Sequence, residues 1–305
     1  MIGRKSLSDR LMTWRNEGGT KAQLADLIQR GSRNTMMLIG TGFVLVIALS
    51  AILAPILPMA GPQYRDPTFI NVPFQPSSHH LFGTDELGRD MLSRVLWGGR
   101  VSLLVGTIAV LFSLTIGLML GLLAGYFGGK VDYVISGVID VFWTFPTFLL
   151  ALAFAAALGP SLTNVIVAIG ISSWAGYARL VRGQAFTVRE RLFVEASKAM
   201  GASNTRIMFT HVLPNCLAPL IVWASIGVAD AIVIESSLSF LGIGTQPPTP
   251  SWGYMLNSGR KYIDPSWWIA TFPGIAILWT ILGFNLFGDG LRDLMDPRLK
   301  GLRRR

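Results

Sequence analysis

The sequence predicts an all-α integral membrane protein with six spanning helices, and three observations carry that prediction. Six stretches are long and apolar enough to cross a bilayer, which takes roughly 20 residues. Charged residues make up only 14% of the chain and hydrophobic residues 51%, with a mean hydropathy of +0.50. A soluble domain typically carries about 25% charged residues, so this chain lacks the surface to stay in water. Basic residues are also divided unevenly between alternate connections, as they are in membrane proteins.

The spans are expected at Thr35–Leu57, Val101–Tyr126, Val134–Leu158, Leu162–Val181, Leu217–Ile243 and Trp267–Phe287. The third and fourth are divided only by Gly159-Pro160-Ser161, a turn-forming breaker suited to antiparallel neighbours. With the N-terminus inside, the inner segments hold 20 of the 26 Lys and Arg residues and the outer segments 6. Both termini are therefore predicted to be cytoplasmic, together with the long polar loop between the fourth and fifth spans. The segment before the first span carries arginines without an apolar core, so no cleaved signal peptide is expected. The net charge of +9 does not indicate nucleic acid, because the basic residues form no common face. A single cysteine, Cys216, excludes an intrachain disulfide and reads as a small buried hydrophobe.

In the second span Ser113, Gly117, Gly121 and Gly125 recur every four residues. That spacing lays small residues along one helix face, where another backbone can approach closely; internal packing is favoured over a subunit contact. Gly128-Gly129 ends the helix. The outer segment 58–100 reads as loop with a short helix near its end, where Asp90 and Arg94 are one turn apart and able to pair. The prolines of Gln246–Trp252 predict an extended, rigid strap.

The cytoplasmic loop has its own pattern. Leu192, Ala196, Ala199 and Met200 fall at helical spacing and form an apolar face, with Arg191, Glu195 and Lys198 beside it. Gly201 stops this helix, Ser203 caps a second short one, and that one is expected to end before Pro214. Two short helices hinged at a glycine would thus lie beneath the bilayer, with an apolar face to be covered by lipid headgroups or by a soluble protein.

Asp140, Asp230 and Glu235 lie within apolar spans, where a carboxylate faces protein or water. Hydrogen bonding between helices and a place on a translocation path are the two readings, with Asp140 and Glu235 the stronger candidates for the path. Pro146 is expected to kink the third span. Gly125–Val131 is one residue too short for a phosphate loop and lacks its hydroxyl, so no ATP site is expected on this chain. His79-His80 without further ligands makes a poor metal site, and no catalytic constellation is present.

The loop resembles that of permease subunits of binding-protein-dependent ABC importers, whose form is E-A-A, three residues, G, nine residues, I-x-L-P. Glu195, Ala196, Gly201, Leu213 and Pro214 match in register, whereas Ser197 and His211 replace an alanine and the isoleucine. Phe82–Asp90, containing Gly83, Thr84, Asp85, Gly88, Arg89 and Asp90, resembles the signature after the first span of dipeptide and oligopeptide permeases. So do Leu238–Gly244 with Pro250–Gly253, Phe284–Asp293, and the final Asp296–Lys300. The resemblance points to the second of the two permease types in such systems. It implies a type I importer permease fold with a domain at 101–290 and a coupling loop at 182–216. A cytoplasmic segment 1–34, a span with periplasmic segment at 35–100, and a cytoplasmic tail 291–305 flank that domain. It also implies a second homologous permease subunit, two cytoplasmic ATPases that use ATP and Mg, and a periplasmic or tethered solute-binding protein, with no cofactor on this chain. The cargo would be a di- or oligopeptide, or in similar systems nickel, glutathione or an opine. An ion-driven carrier using Asp140 and Glu235 as proton groups is the rival, and it predicts inverted repeats that the halves do not show.

Overall fold

The computed structural model describes residues 31–32, 34–69 and 72–295. The basic segment up to residue 30 and the motif from residue 296 onward lie outside the described residues. The elements are α1 (Thr35–Leu53), α2 (Met91–Phe127), α3 (Gly129–Thr144), α4 (Thr147–Leu158), α5 (Leu162–Arg189), α6 (Leu192–Ala199), α7 (Asn204–Ile207), α8 (Leu213–Phe240), α9 (Trp252–Gly259) and α10 (Trp268–Met295). Among the described residues five helices are long and apolar enough to cross a membrane, and six segments qualify if α3 and α4 together count as one span.

The third span is not a kinked helix but a broken one: α3 and α4 meet at 88°. Phe145 is extended (φ −95°, ψ 140°) because the ring of Pro146 bars the helical conformation from the residue before it. Pro146 then stands at the start of α4, where its missing N–H costs nothing. The turn into α5 follows its sequence: Gly159 adopts φ +85°, and the Ser161 hydroxyl accepts from the Asn164 N–H at 3.1 Å.

The second helix starts ten residues earlier than its apolar stretch, since Asp90 caps it by accepting from the Ser93 N–H at 2.8 Å. The short outer helix is therefore the first turns of α2. The fifth span likewise begins early. α7 runs through a π-helical turn at Met208–Val212 into α8, so Asn204–Phe240 forms one long segment and the second short helix does not end before Pro214. In that wide turn the Leu213 N–H reaches back five residues to the Met208 carbonyl. Pro214 then occupies the first turn of α8, where proline is tolerated.

At the centre α2 lies along α5, and the stripe of small residues is their seam. A Cβ on Gly117 would stand 2.5 Å from that of Tyr177, and one on Gly125 would stand 2.5 Å from the Arg182 carbonyl oxygen. The Ser113 hydroxyl donates across the same seam to the Gly170 carbonyl at 2.9 Å. The stripe is thus an internal packing face. α8 packs on both helices and α10 on α8, while α1 lies outermost against α10, stacking Phe43 on Trp279 with centroids 4.2 Å apart.

The segment expected as an extended strap, Gln246–Trp252, turns at 247–248 and bends at 249 before α9 begins, and turns and bends also fill 241–245 ahead of it. Gly242 (φ +83°) reverses the chain, the Thr245 N–H donates to the Ser239 hydroxyl at 3.1 Å, and the Gln246 amide donates to the carbonyls of Gly242 and Gly244. These bonds fold the segment back over the end of α8 before its prolines begin. α9 then inserts Trp252, whose indole N–H donates to the Val95 carbonyl of α2 at 2.8 Å.

Candidate functional site

The loop between α5 and α8 folds as its residues suggest. α6 buries Val194 and Ser197 and exposes the opposite side, with Leu192 82% and Met200 80% accessible. Ala196 and Ala199 are exposed between them. Gly201 adopts φ +81°, and the N–H groups of Gly201 and Ala202 return to the carbonyls of Lys198 and Ser197 at 2.9 and 3.1 Å. Those bonds satisfy the end of the helix and turn the chain, which only glycine does without strain. The Ser203 side chain accepts from the Arg206 N–H and starts α7.

Glu195 has Arg191 four residues before it and Lys198 three after it, within reach along one helix face. It is exposed and forms no ion pair among the described residues, and Lys198 instead lies 5.7 Å from the ring centroid of Tyr126. The motif's other end is half-buried Leu213 and exposed Pro214 at the root of α8. The two departures from the motif meet each other: His211 Nε2 is 3.3 Å from the Ser197 hydroxyl, and its ring stands edge-on to Phe193. Sequence reading did not foresee this contact, because the residues are fourteen positions apart.

The attachment to the membrane helices also went unread. The Tyr126 hydroxyl at the end of α2 donates to the Asn204 side-chain oxygen at 2.9 Å. Arg189, at the end of α5, donates to the carbonyls of Gly125 and Tyr126 at 3.3 Å. The hinged pair is therefore tied to the C-terminal ends of α2 and α5 and continuous with α8. The signal available was Tyr126 and Arg189 at helix ends, but nothing local names their partners.

The intramembrane carboxylates separate into three settings. Asp140 pairs with Arg179 at 2.6 Å across α3 and α5, and that guanidinium covers the ring of Trp143 at 4.3 Å. Asp132 pairs with Arg182 one level away, and both aspartates line an open hollow between the two helices. Glu235 is fully buried and accepts from the hydroxyls of Ser102 at 3.1 Å and Ser239 at 2.8 Å, which ties α8 to α2. Asp230, the candidate without a partner, lines a separate cavity of about 660 Å³ beside the break between α3 and α4. Neither Asp140 nor Glu235 lines that cavity.

Ahead of α2, Gly83–Asp90 forms a closed knot. Buried Asp85 accepts from the N–H groups of Leu87 and Arg89, and pairs with Arg89 at 2.7 Å and Arg94 at 3.3 Å. The expected Asp90–Arg94 pair does not form. Asp90 spends its carboxylate on the helix cap and on His80 at 2.9 Å, while Arg94 turns to Asp85 and the Pro62 carbonyl. Gly83 and Gly88 adopt φ +73° and +71°, and the Thr84 carbonyl accepts from the Trp268 indole at 3.0 Å. Beside the knot, backbone and side-chain hydrogen bonds from Thr68 hold the Asp66 carboxyl below its ordinary value. Among the described residues no cluster of His, Cys, Asp and Glu could hold a metal ion.

Comparison with known proteins agrees with this architecture. The dipeptide transport permease DppC of Alkalihalophilus pseudofirmus is 44% identical over 268 residues, covering 88% of each chain. The di/tripeptide transport permease DppC of Pseudomonas aeruginosa is 45% identical over 285 residues, covering 91% of this chain and 93% of its own. The glutathione transport permease GsiD of Pectobacterium atrosepticum is 42% identical over 261 residues, or 86% of both. Among solved structures, a chain of the MetNI methionine ABC transporter in inward-facing conformations superposes with a TM-score of 0.53 at 19% identity. The match covers 68% of this chain and 98% of that one, and supports the fold. The family model for the inner membrane component of binding-protein-dependent transport systems matches residues 117–301, and the chain belongs to that family.

Proposed function

We propose that the chain is one of two permease subunits of a di- or oligopeptide importer, driven by two separate cytoplasmic ATPases and supplied by a solute-binding protein. The observation that carries this is the uncovered apolar face of α6, displayed on a loop tied to α2 and α5 and running into α8. A motor gripping Leu192 and Met200 would move three spanning helices together, as a hinge or rigid-body displacement. ATP and Mg belong to the motor chains, and both termini lie with α6 on the cytoplasmic side of the inner membrane. Relatives named for dipeptides and di/tripeptides support the cargo class. A glutathione cargo is the second reading, supported by the relative so named. In this reading Asp140, on the open face of α3, belongs to the wall of the path, and Glu235 ties helices together. Family membership argues against the ion-driven carrier.

The test is L192E with M200E, co-expressed with the second permease and the ATPases of its transport system. Membrane insertion should persist, while the ATPases no longer co-purify and ATP-driven uptake into proteoliposomes is lost. Intact docking and uptake would overturn the proposal.

A further inference from the structure

The cavity beside the α3–α4 break has a consistent chemistry. Its volume of about 660 Å³ falls in the range of roughly 300–1,000 Å³ for small-molecule sites. Trp143, Phe145, Tyr177 and Trp223 supply aromatic wall, and Ser172 and Ser173 supply hydroxyls. No Lys, Arg or His lines it, and Asp230 is its sole carboxylate. Tyr177 packs its hydroxyl against Gly227, one turn before Asp230 on α8.

Asp230 differs from Asp132, Asp140 and Glu235. Asp132 and Asp140 have arginine partners and Glu235 has serine hydroxyls, whereas Asp230 makes no hydrogen bond or ion pair among the described residues. An ionisable group at this depth persists where it faces a polar path or a partner. One unpaired negative charge among aromatic faces attracts an ammonium group, by direct pairing and by cation–π attraction.

We propose that Asp230 is a specificity residue on the translocation path, pairing with the free amino terminus of a peptide that occupies this cavity. The inference rests on the peptide-importer reading. The probes are dialanine and N-acetyl-dialanine, bound at equilibrium to the complete permease–ATPase complex in nanodiscs without nucleotide or binding protein. The wild-type complex should hold dialanine about tenfold or more tightly than its acetylated form, the ratio for one charge-assisted hydrogen bond. D230N should abolish the difference and D230E should retain it, with assembly unchanged in both.

Uptake by the complex with its binding protein is measured in parallel. A wild-type complex that imports no peptide refutes the importer reading. Import of peptide with equal binding of both probes, or with a preference that survives in D230N, overturns the role of Asp230 alone. Loss of assembly in D230N would assign the carboxylate to a subunit contact and also overturn it.

Discussion

Replacing Gly121 with alanine puts one methyl group into the close seam between α2 and α5. The added Cβ would stand 2.5 Å from the Ala178 carbonyl oxygen, 2.8 Å from the Val181 Cβ and 3.1 Å from the Ala178 Cα. Favourable carbon contacts lie at about 3.5–4.0 Å, so α2 and α5 must part by about 1 Å. No rotamer change relieves the clash, because the obstructing atoms are backbone and a β-branched Cβ. Overpacking of this kind costs about 1–3 kcal/mol, and alanine recovers up to about 1 kcal/mol of helix propensity. Separation also loosens Gly117 and Gly125, one turn to either side, so a net loss of about 1–2 kcal/mol is expected. That is about a 5- to 30-fold shift toward the unfolded state. G183A, on exposed α5 backbone with nothing within 4 Å, provides the control. It should be neutral or stabilising by up to about 1 kcal/mol. Both are measured by denaturant titration of the isolated chain in detergent, followed by tryptophan fluorescence. The reasoning fails if G121A unfolds like G183A in the isolated chain. A loss confined to assembly with a second subunit would show the stripe to be an intermolecular seam.

Asp85→Asn removes the charge facing Arg89 and Arg94, both nearly buried. Uncompensated buried charge costs about 3–5 kcal/mol, so the knot ahead of α2 should open to protease at residues 60–90 while cleavage at α6 is unchanged; an unaltered digest would refute the pairing. For His211 and Ser197, S197A, H211I and the double variant form a cycle, read by thermal unfolding. A coupling of about 0.5–1.5 kcal/mol is expected for one hydrogen bond, and additive effects would show that the 3.3 Å contact carries no energy.

Much of the loop was legible because its signals are local. A glycine with φ +81°, a serine cap three residues before its donor, and apolar residues three and four apart each act within one or two turns. The carboxylates were less legible. Asp140, Asp230 and Glu235 share the same apolar context in the chain, and what distinguishes them is Arg179 thirty-nine positions away, Ser102 at a separation of 133, or no partner among the described residues. Asp90 and Arg94 show the converse: the one-turn spacing permitted a pair, and a stronger demand from the helix cap and from buried Asp85 took each residue elsewhere.

Hydropathy and glycine spacing by themselves determined that the chain is a bundle of apolar helices with a small-residue seam and a hinged polar loop. Bilayer thickness, side-chain size and backbone freedom act on each segment separately, so no knowledge of neighbours was needed. Only the tertiary structure decided that the third span breaks at 88°, that α7 runs on into α8, and that Asp230 rather than Asp140 or Glu235 faces the cavity. Those outcomes depend on which distant helix packs against a given face, because burial and pairing belong to the assembled surfaces.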